Sequence, residues 1–595
     1  MLFERPICEF GTPHPTGRAR RIGSQATAPL KSHGTQRVPV VLVQFQDVKF
    51  MEPADTTCSS VNEFYQKFCN GTMDGKRYRG HGSSGSIRDY FVEQSDSAFF
   101  PEFEVIGPVT LDSVVSYYGK NSPGRDTNYG KFTKETLKKA VAEFGDWSTF
   151  DNDKNGTIDL VFFIYAGMGE HNTRGMRPEL LWPKESQSGT TIDGTTFGAS
   201  GITSEARPLF NSDYTQIVGM KTDGIGVFVH ELSHALGLPD FYDTKGKAFG
   251  MDMWSVMDYG EYANNGDTPG NYTAYERDFM GWRRLVTLEE PCVLNIPCFY
   301  DGGKGYKIVN EANPNEYYVI ENRQPKGWDT YVGQRGHGLQ VTHVDYDAGR
   351  WNSNNLNTDA AHQRMTIIAA NNDYFGAGMG DQTKWLNALK GNLFPGDKNV
   401  YELTDESSPA ARVFSNSVVY TGATMHKPLR NITENEDGTI TVCYCTNGQL
   451  PTMEAPEVEN VMMDRFDAHW PLVENATKYG YELRQGDGLL KTDTIAETSI
   501  SIENLLPSIE LQLRVKALAD RPEDYIDGEW SEWTTFSTLS DGIRSVGSSS
   551  IADVYTMSGL YIGRRHINEL SNVMPSRGIY ILRLSDGTSR KILLK

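Results

Sequence analysis

Two histidines stand four residues apart in the stretch VFVHELSHALGLPDFYD, residues 227–243. On a helix, positions i and i+4 share one face, so the imidazoles of His230 and His234 can grip a single metal ion. Neutral imidazole suits Zn²⁺, which it binds at about 2.0–2.1 Å. Glu231, beside the first of them, is suited to take the proton of a metal-activated water and pass it to a leaving amine, as general base and then acid. Gly237 lets the chain leave the helix with positive φ, and Pro239 keeps the helix from resuming. That bend carries Asp240 toward the metal as third ligand. Asp243, just past the turn, and Glu276, 42 residues beyond His234, are the alternatives. The extended spacing HExxHxxGxxD, followed by WSVMDYG at residues 254–260, is far more than an amphipathic helix with two chance histidines requires.

Such a helix needs a scaffold. VPVVLVQF, residues 38–45, is a β-branched run expected as a buried strand, and residues 159–166 a second. Segments 85–94 and 133–143 between them are helix-compatible, which makes residues 36–285 a mixed α/β (α+β) domain. From residue 286 the helical signals thin and short alternating stretches recur at 316–321, 338–345, 364–370 and 438–445, a β-rich extension over 286–450. A Pro/Glu-rich junction at 450–460 opens a unit of short strands with the spacing of a β-sandwich, residues 451–538. The Gly/Ser run at 540–550 is a linker inside the last unit, 539–595. Residues 1–35 have no periodicity and are expected as a leader or pro-segment remnant.

The balance of 57 Lys+Arg against 77 Asp+Glu, net −20 over 595 residues, repels phosphate backbones and anionic lipid, so nucleic acid is excluded as a partner. The longest apolar run, residues 158–168, is too short for a membrane span of roughly 20 residues and is expected as a buried strand. The first residues, MLFERPICEF, lack the apolar core of a signal peptide.

The stretch DNDKNGTID places Asp151, Asp153, Asn155 and Asp159 at loop positions 1, 3, 5 and 9, with Gly156 at position 6 and the carbonyl of Thr157 at position 7. That is the oxygen spacing of a loop around Ca²⁺, although Phe162 stands where an EF-hand needs a bidentate Glu. A polar turn ahead of the apolar strand is the other reading. Cys58 and Cys69 form a candidate local bridge. Cys292/Cys298 and Cys443/Cys445 have the even spacing of one strand face and are expected as buried thiols. His337 and His343 share that spacing and are expected to be structural, and Cys8 is a remote candidate for capping the zinc.

With these residues in view, the chain resembles the metzincin zinc endopeptidases, and the Asp at position 240 is similar to the pattern of the immune inhibitor A family of secreted bacterial metalloproteases. Blocks at 82–95, 103–111, 159–170, 274–282, 316–324 and 338–346 carry the same resemblance. It implies a metzincin-like catalytic fold, Met257 as the methionine turn beneath the zinc, Tyr259 as a hydroxyl that stabilises the oxyanion, and protein or peptide substrates. Glu276 occupies the place of the helix-borne glutamate ligand of thermolysin-like enzymes. Residues 451–538 resemble a fibronectin type III domain, with Trp470 as the buried tryptophan of its second strand, Leu511 where the corner tyrosine usually stands, and the aromatic residues of GEWSEWTTFST mainly in the core. Residues 551–595 look like a type IX secretion C-terminal sorting domain, which implies a Bacteroidetes source and a secreted or cell-surface protein. That in turn requires an export signal, so the true start is expected to lie elsewhere. The alternatives are a surface binding protein on an inactive protease scaffold, and a zinc hydrolase of non-peptide amides.

Overall fold

The computed structural model describes residues 28–72, 76–122, 125–187, 189–415, 423–540, 551–574, 578–585 and 587–594. Cys8, most of the expected leader and nearly all of the 540–550 linker lie outside the described residues. The chain divides into two compact units, Met1–Cys445 and Thr446–Lys595.

In the first unit a seven-stranded sheet runs in the order Phe99–Thr110, Gly34–Gln44, Thr157–Met168, Thr195–Phe210, Lys184–Ser186, with the first four strands parallel. Parallel neighbours need crossovers, and helices supply them. Val61–Asn70 and Ile87–Gln94 lie between the first two strands in sequence, and Tyr129–Glu143 precedes Thr157–Met168. Alternation along the strands feeds two cores. Val38, Val40, Leu42, Leu160, Phe162 and Ile164 point to one face, while Val41, Val43, Val161 and Phe163 point to the other. Both faces are covered, which is why residues 158–168 read as one apolar run.

The β-rich extension shares the first of these cores. Its five-stranded sheet, Val286–Thr287, Tyr306–Val309, Glu316–Arg323, Gly338–Asp345 and Met365–Ile367, turns Tyr317 and Val319 to the core that also holds Phe228, Val229 and Leu232 of the helix Gly226–Ala235, the site helix. Tyr318 and Ile320 face a separate core closed by the sheet Cys292–Ile296, Ile440–Tyr444, Leu429–Glu434. Order also begins earlier than Val38: Leu30 is buried, and its N–H donates to the Ala235 carbonyl at 3.0 Å, at the end of the site helix.

In the second unit, residues 457–537 form a three-stranded and a four-stranded antiparallel sheet around Phe466, Trp470, Tyr479, Leu511, Leu513 and Val515. Trp530 and Trp533 do not join that core. Both are half-buried, and the Arg514 guanidinium lies 4.5 Å from each ring centre, a cation–π stack where core packing was expected. Residues 551–594 make a four-stranded antiparallel sheet on a small core of Ala552, Val554, Leu570, Tyr580 and Leu582.

The six described cysteines are all free, so the Cys58–Cys69 bridge is not formed; Cys58 Sγ instead accepts from Lys67 Nζ at 3.4 Å. Neither even-spaced cysteine pair shares a strand face, because Cys298 and Cys445 fall beyond their strands. His337 likewise precedes its strand and pairs with Glu434 at 2.8 Å, whereas His343 pairs with Glu316 at 2.9 Å. Both are structural. Among the described residues no helix is long and apolar enough to cross a membrane.

Candidate active site

Helix Gly226–Ala235 is buried along its whole length, since core packs beneath it and the site above. Phe228 stacks on Phe162 of the central sheet with ring centres 3.7 Å apart, and meets Phe103 edge-on at 5.6 Å. These contacts fix the helix on the sheet. Its N-terminus presses on the segment Tyr259–Gly266 so closely that a Cβ at Gly226 would sit 1.9 Å from the Glu261 carbonyl oxygen, which only glycine permits. At the other end Gly237, at φ +103°, turns the chain back as expected.

That turn brings three ligand atoms together. His230, His234 and Asp240 are all buried and offer ligand atoms within 4.8 Å of one another. Asp240 Oδ1 lies 3.1 Å from His230 Nε2 and 3.0 Å from His234 Nε2. A tetrahedral zinc with ligands at about 2.0–2.1 Å separates them by roughly 3.3 Å, so the donor set fits that ion with small adjustment. Each Nδ1 is committed elsewhere: that of His230 to the Val256 carbonyl at 2.9 Å, that of His234 to the Leu238 carbonyl at 2.8 Å. A carbonyl only accepts, so both Nδ1 atoms carry a hydrogen, and each Nε2, next to Asp240 Oδ1, is the ring atom left to a metal.

The electrostatics favour a cation. Burial disfavours charging His230, yet Glu261, Asp240 and Glu231 hold its pKa up at about 10. Burial also works against the Asp240 carboxylate, and His234 and His230 nonetheless keep it well below the ordinary range. The pocket thus stabilises positive charge where the ligand atoms converge. Glu231 is buried next to the first ligand, and Glu261 Oε2 lies 3.8 Å from His230 Nδ1.

Met257 is fully buried, and its carbonyl accepts from the Phe241 N–H at 2.8 Å, one residue past Asp240. The turn that carries it is held in place. The Met257 N–H donates to Ser255 Oγ at 3.0 Å, and Ser255 Oγ donates to Glu276 Oε1 at 2.7 Å. Glu276 also closes a capping box with Thr273 at the start of helix Ala274–Met280. Glu276 is therefore engaged at the turn that carries Met257 and is not among the three residues of the cluster. Asp243 accepts from the backbone N–H groups of Lys245, Lys247 and Ala248, which closes its own loop. We expect Glu276→Gln to keep a full zinc complement and to lose about 1–3 kcal/mol of stability. Loss of zinc from a folded variant would make Glu276 a ligand instead.

Tyr259 is buried, with its ring 5.1 Å from Tyr262 and 5.3 Å from Trp385. Asn354 escaped the sequence reading altogether. It comes from the β-rich extension, accepts from the Asp240 N–H at 2.7 Å and donates through Nδ2 to Asp240 Oδ2.

At the second candidate site, Asp151, Asp153 and Asp159 bring their carboxylates within 4.8 Å of one another. Gly156 turns the loop at φ +87° and its N–H donates to Asp151 Oδ2 at 2.8 Å. Asn155 Nδ2 donates to Asp153 Oδ2 at 3.0 Å, and its Oδ1 accepts from the Thr157 N–H at 2.8 Å, so this amide is used within the loop. Burial, with Asp153 and Asp151 adding to it, raises the Asp159 pKa.

Residues 25–284 match the family model described as immune inhibitor A peptidase M6, catalytic domain. The segment that builds the ligand cluster is thus similar to a metallopeptidase catalytic domain. Among curated proteins the chain is 26% identical over 331 residues to immune inhibitor A of Bacillus thuringiensis subsp. alesti, covering 47% of this chain and 46% of that one. It is 24% identical over 276 residues to the pre-pro-metalloprotease PrtV of Vibrio cholerae, covering 41% of this chain and 30% of that one. The chain spans less than half the length of either relative. Among solved structures, the sixth fibronectin type III domain of human fibronectin type III domain containing protein 3 aligns over 16% of this chain and 93% of its own, at 20% identity and a TM-score of 0.15.

Proposed function

We propose that this protein is a secreted zinc-dependent endopeptidase that hydrolyses peptide bonds in proteins, with Glu231 as general base and acid. The observation that carries the reading is the buried convergence of His230, His234 and Asp240 beside Glu231, within the segment similar to the M6 catalytic domain. Zinc, when bound, supplies Lewis acidity that brings the pKa of a water toward about 7 and polarises the scissile carbonyl. Glu231 takes the proton of the attacking water and returns it to the leaving amine nitrogen, so the carboxylate is ionised again at the end of each cycle. No side chain becomes acylated. Tyr259, next to the methionine turn, donates its hydroxyl to the oxygen on which negative charge develops. Casein hydrolysis that a chelator abolishes and zinc restores tests the reading, and cleavage of small amides without casein would redirect it to a non-peptide hydrolase.

The loop of Asp151, Asp153, Asn155, Thr157 and Asp159 belongs to the same proposal as a structural Ca²⁺ site, supported by its three convergent carboxylates. Calcium at about a hundred times its dissociation constant should raise the melting temperature by roughly 2–4 °C in wild type and not in Asp153→Asn. An equal response in both would remove calcium from the account. The two-sheet sandwich around Trp470 supports a fibronectin type III-like module, and the sheet at 551–594 a sorting-type domain read by the secretion machinery.

A further inference from the structure

We infer that Asn354 is a positioning residue for the third metal ligand, so that the site is completed by the β-rich extension and not by the segment 25–284 alone. The inference rests on the zinc reading of His230, His234 and Asp240. Asn354 follows helix Ala348–Asn352, is buried, and sits at φ +53°, a conformation that asparagine tolerates better than most residues. Its amide engages Asp240 twice: Oδ1 accepts from the Asp240 N–H at 2.7 Å, and Nδ2 donates to Asp240 Oδ2. One carboxylate oxygen is thereby tied back, and the other, Oδ1, is left facing the two histidine Nε2 atoms. The carboxylate is presented through a single oxygen in a fixed rotation.

Three residues on, buried Asn357 repeats the device on the neighbouring peptide. Its Nδ2 donates to the Phe241 carbonyl at 2.7 Å, while its Oδ1 accepts from the N–H groups of Arg364 and Met365 at 2.8 and 3.0 Å. Phe241 in turn donates its N–H to the Met257 carbonyl. The ligand-bearing turn is therefore clamped between the methionine turn on one side and residues 354–357 on the other. Trp351, one turn before Asn354, anchors the clamp through Nε1 to the Tyr275 hydroxyl at 2.9 Å. Outer partners of metal ligands typically contribute 10–100-fold in metal affinity.

The test is zinc affinity by chelator competition on the full chain, with the visible spectrum of the cobalt(II)-loaded protein as a second readout. Asn354→Gly keeps the backbone free to adopt positive φ while deleting the clamp, and Asn354→Ala is measured beside it; either variant that folds decides the question. The expected result is roughly 10–100-fold weaker zinc binding and an altered cobalt spectrum, with the metal-free protein still folded but melting lower, because the buried Asp240 N–H and Oδ2 lose a partner. Affinity within about twofold of wild type and an unchanged spectrum would overturn the inference. Asp240→Ala runs in parallel. If it too binds zinc like wild type, the ligand assignment itself has failed, which separates that outcome from failure of the clamp alone.

Discussion

Glu231→Gln should lower kcat/KM on a protein substrate by about 10²–10⁴-fold while leaving the zinc content unchanged. The substitution is nearly isosteric, and His230, His234 and Asp240 converge without any ligand atom from residue 231. What is lost is a carboxylate able to accept a proton from the attacking water and return it to the amine. The amide also removes one of three carboxylates whose field raises the His230 pKa. A variant that lost its zinc would instead mean that Glu231 ligates or supports the metal. Steady-state kinetics with metal analysis on the same preparation distinguishes these outcomes.

His234→Ala should lose both zinc and activity. One ligand is removed outright, and two remaining protein ligands fall short of the three that catalytic zinc sites use. The metal-free protein is affected too. Burial opposes the Asp240 carboxylate, and His234 is the first of the groups that hold it ionised. Removing one partner of a buried charged pair typically costs about 3–5 kcal/mol, so the variant should melt well below metal-free wild type. Full zinc occupancy in this variant would remove His234 from the ligand set and shift attention to the neighbouring carboxylates.

The cluster of His230, His234 and Asp240 was legible because its logic is local. His230 and His234 are one helical turn apart, and Gly237 with Pro239 dictates the bend that delivers Asp240, so a short stretch of chain specifies the cluster. The parallel sheet was legible for a similar reason, since strands buried on both faces leave unbroken apolar runs such as residues 158–168. Asn354 was not legible. Its partner lies 114 positions away, and nothing in WNSNNLN distinguishes an asparagine that clamps a ligand from one that closes a turn.

Glu276 is the contrasting case. The Thr273-x-x-Glu276 capping box was present in the sequence and marks that carboxylate as engaged at a helix start. Tyr317 and Val319 explain why the extension is inseparable from the site: alternate residues of one strand serve different cores, a distinction that periodicity alone does not make. The tryptophans of GEWSEW stand three residues apart, and a long-range neighbour, Arg514, stacks on both.

The most direct measurement is casein hydrolysis by wild type and Glu231→Gln side by side, with zinc quantified in both samples. The account predicts cleavage by wild type only, at near-equal zinc content. Cleavage by the zinc-loaded variant at the wild-type rate would contradict it.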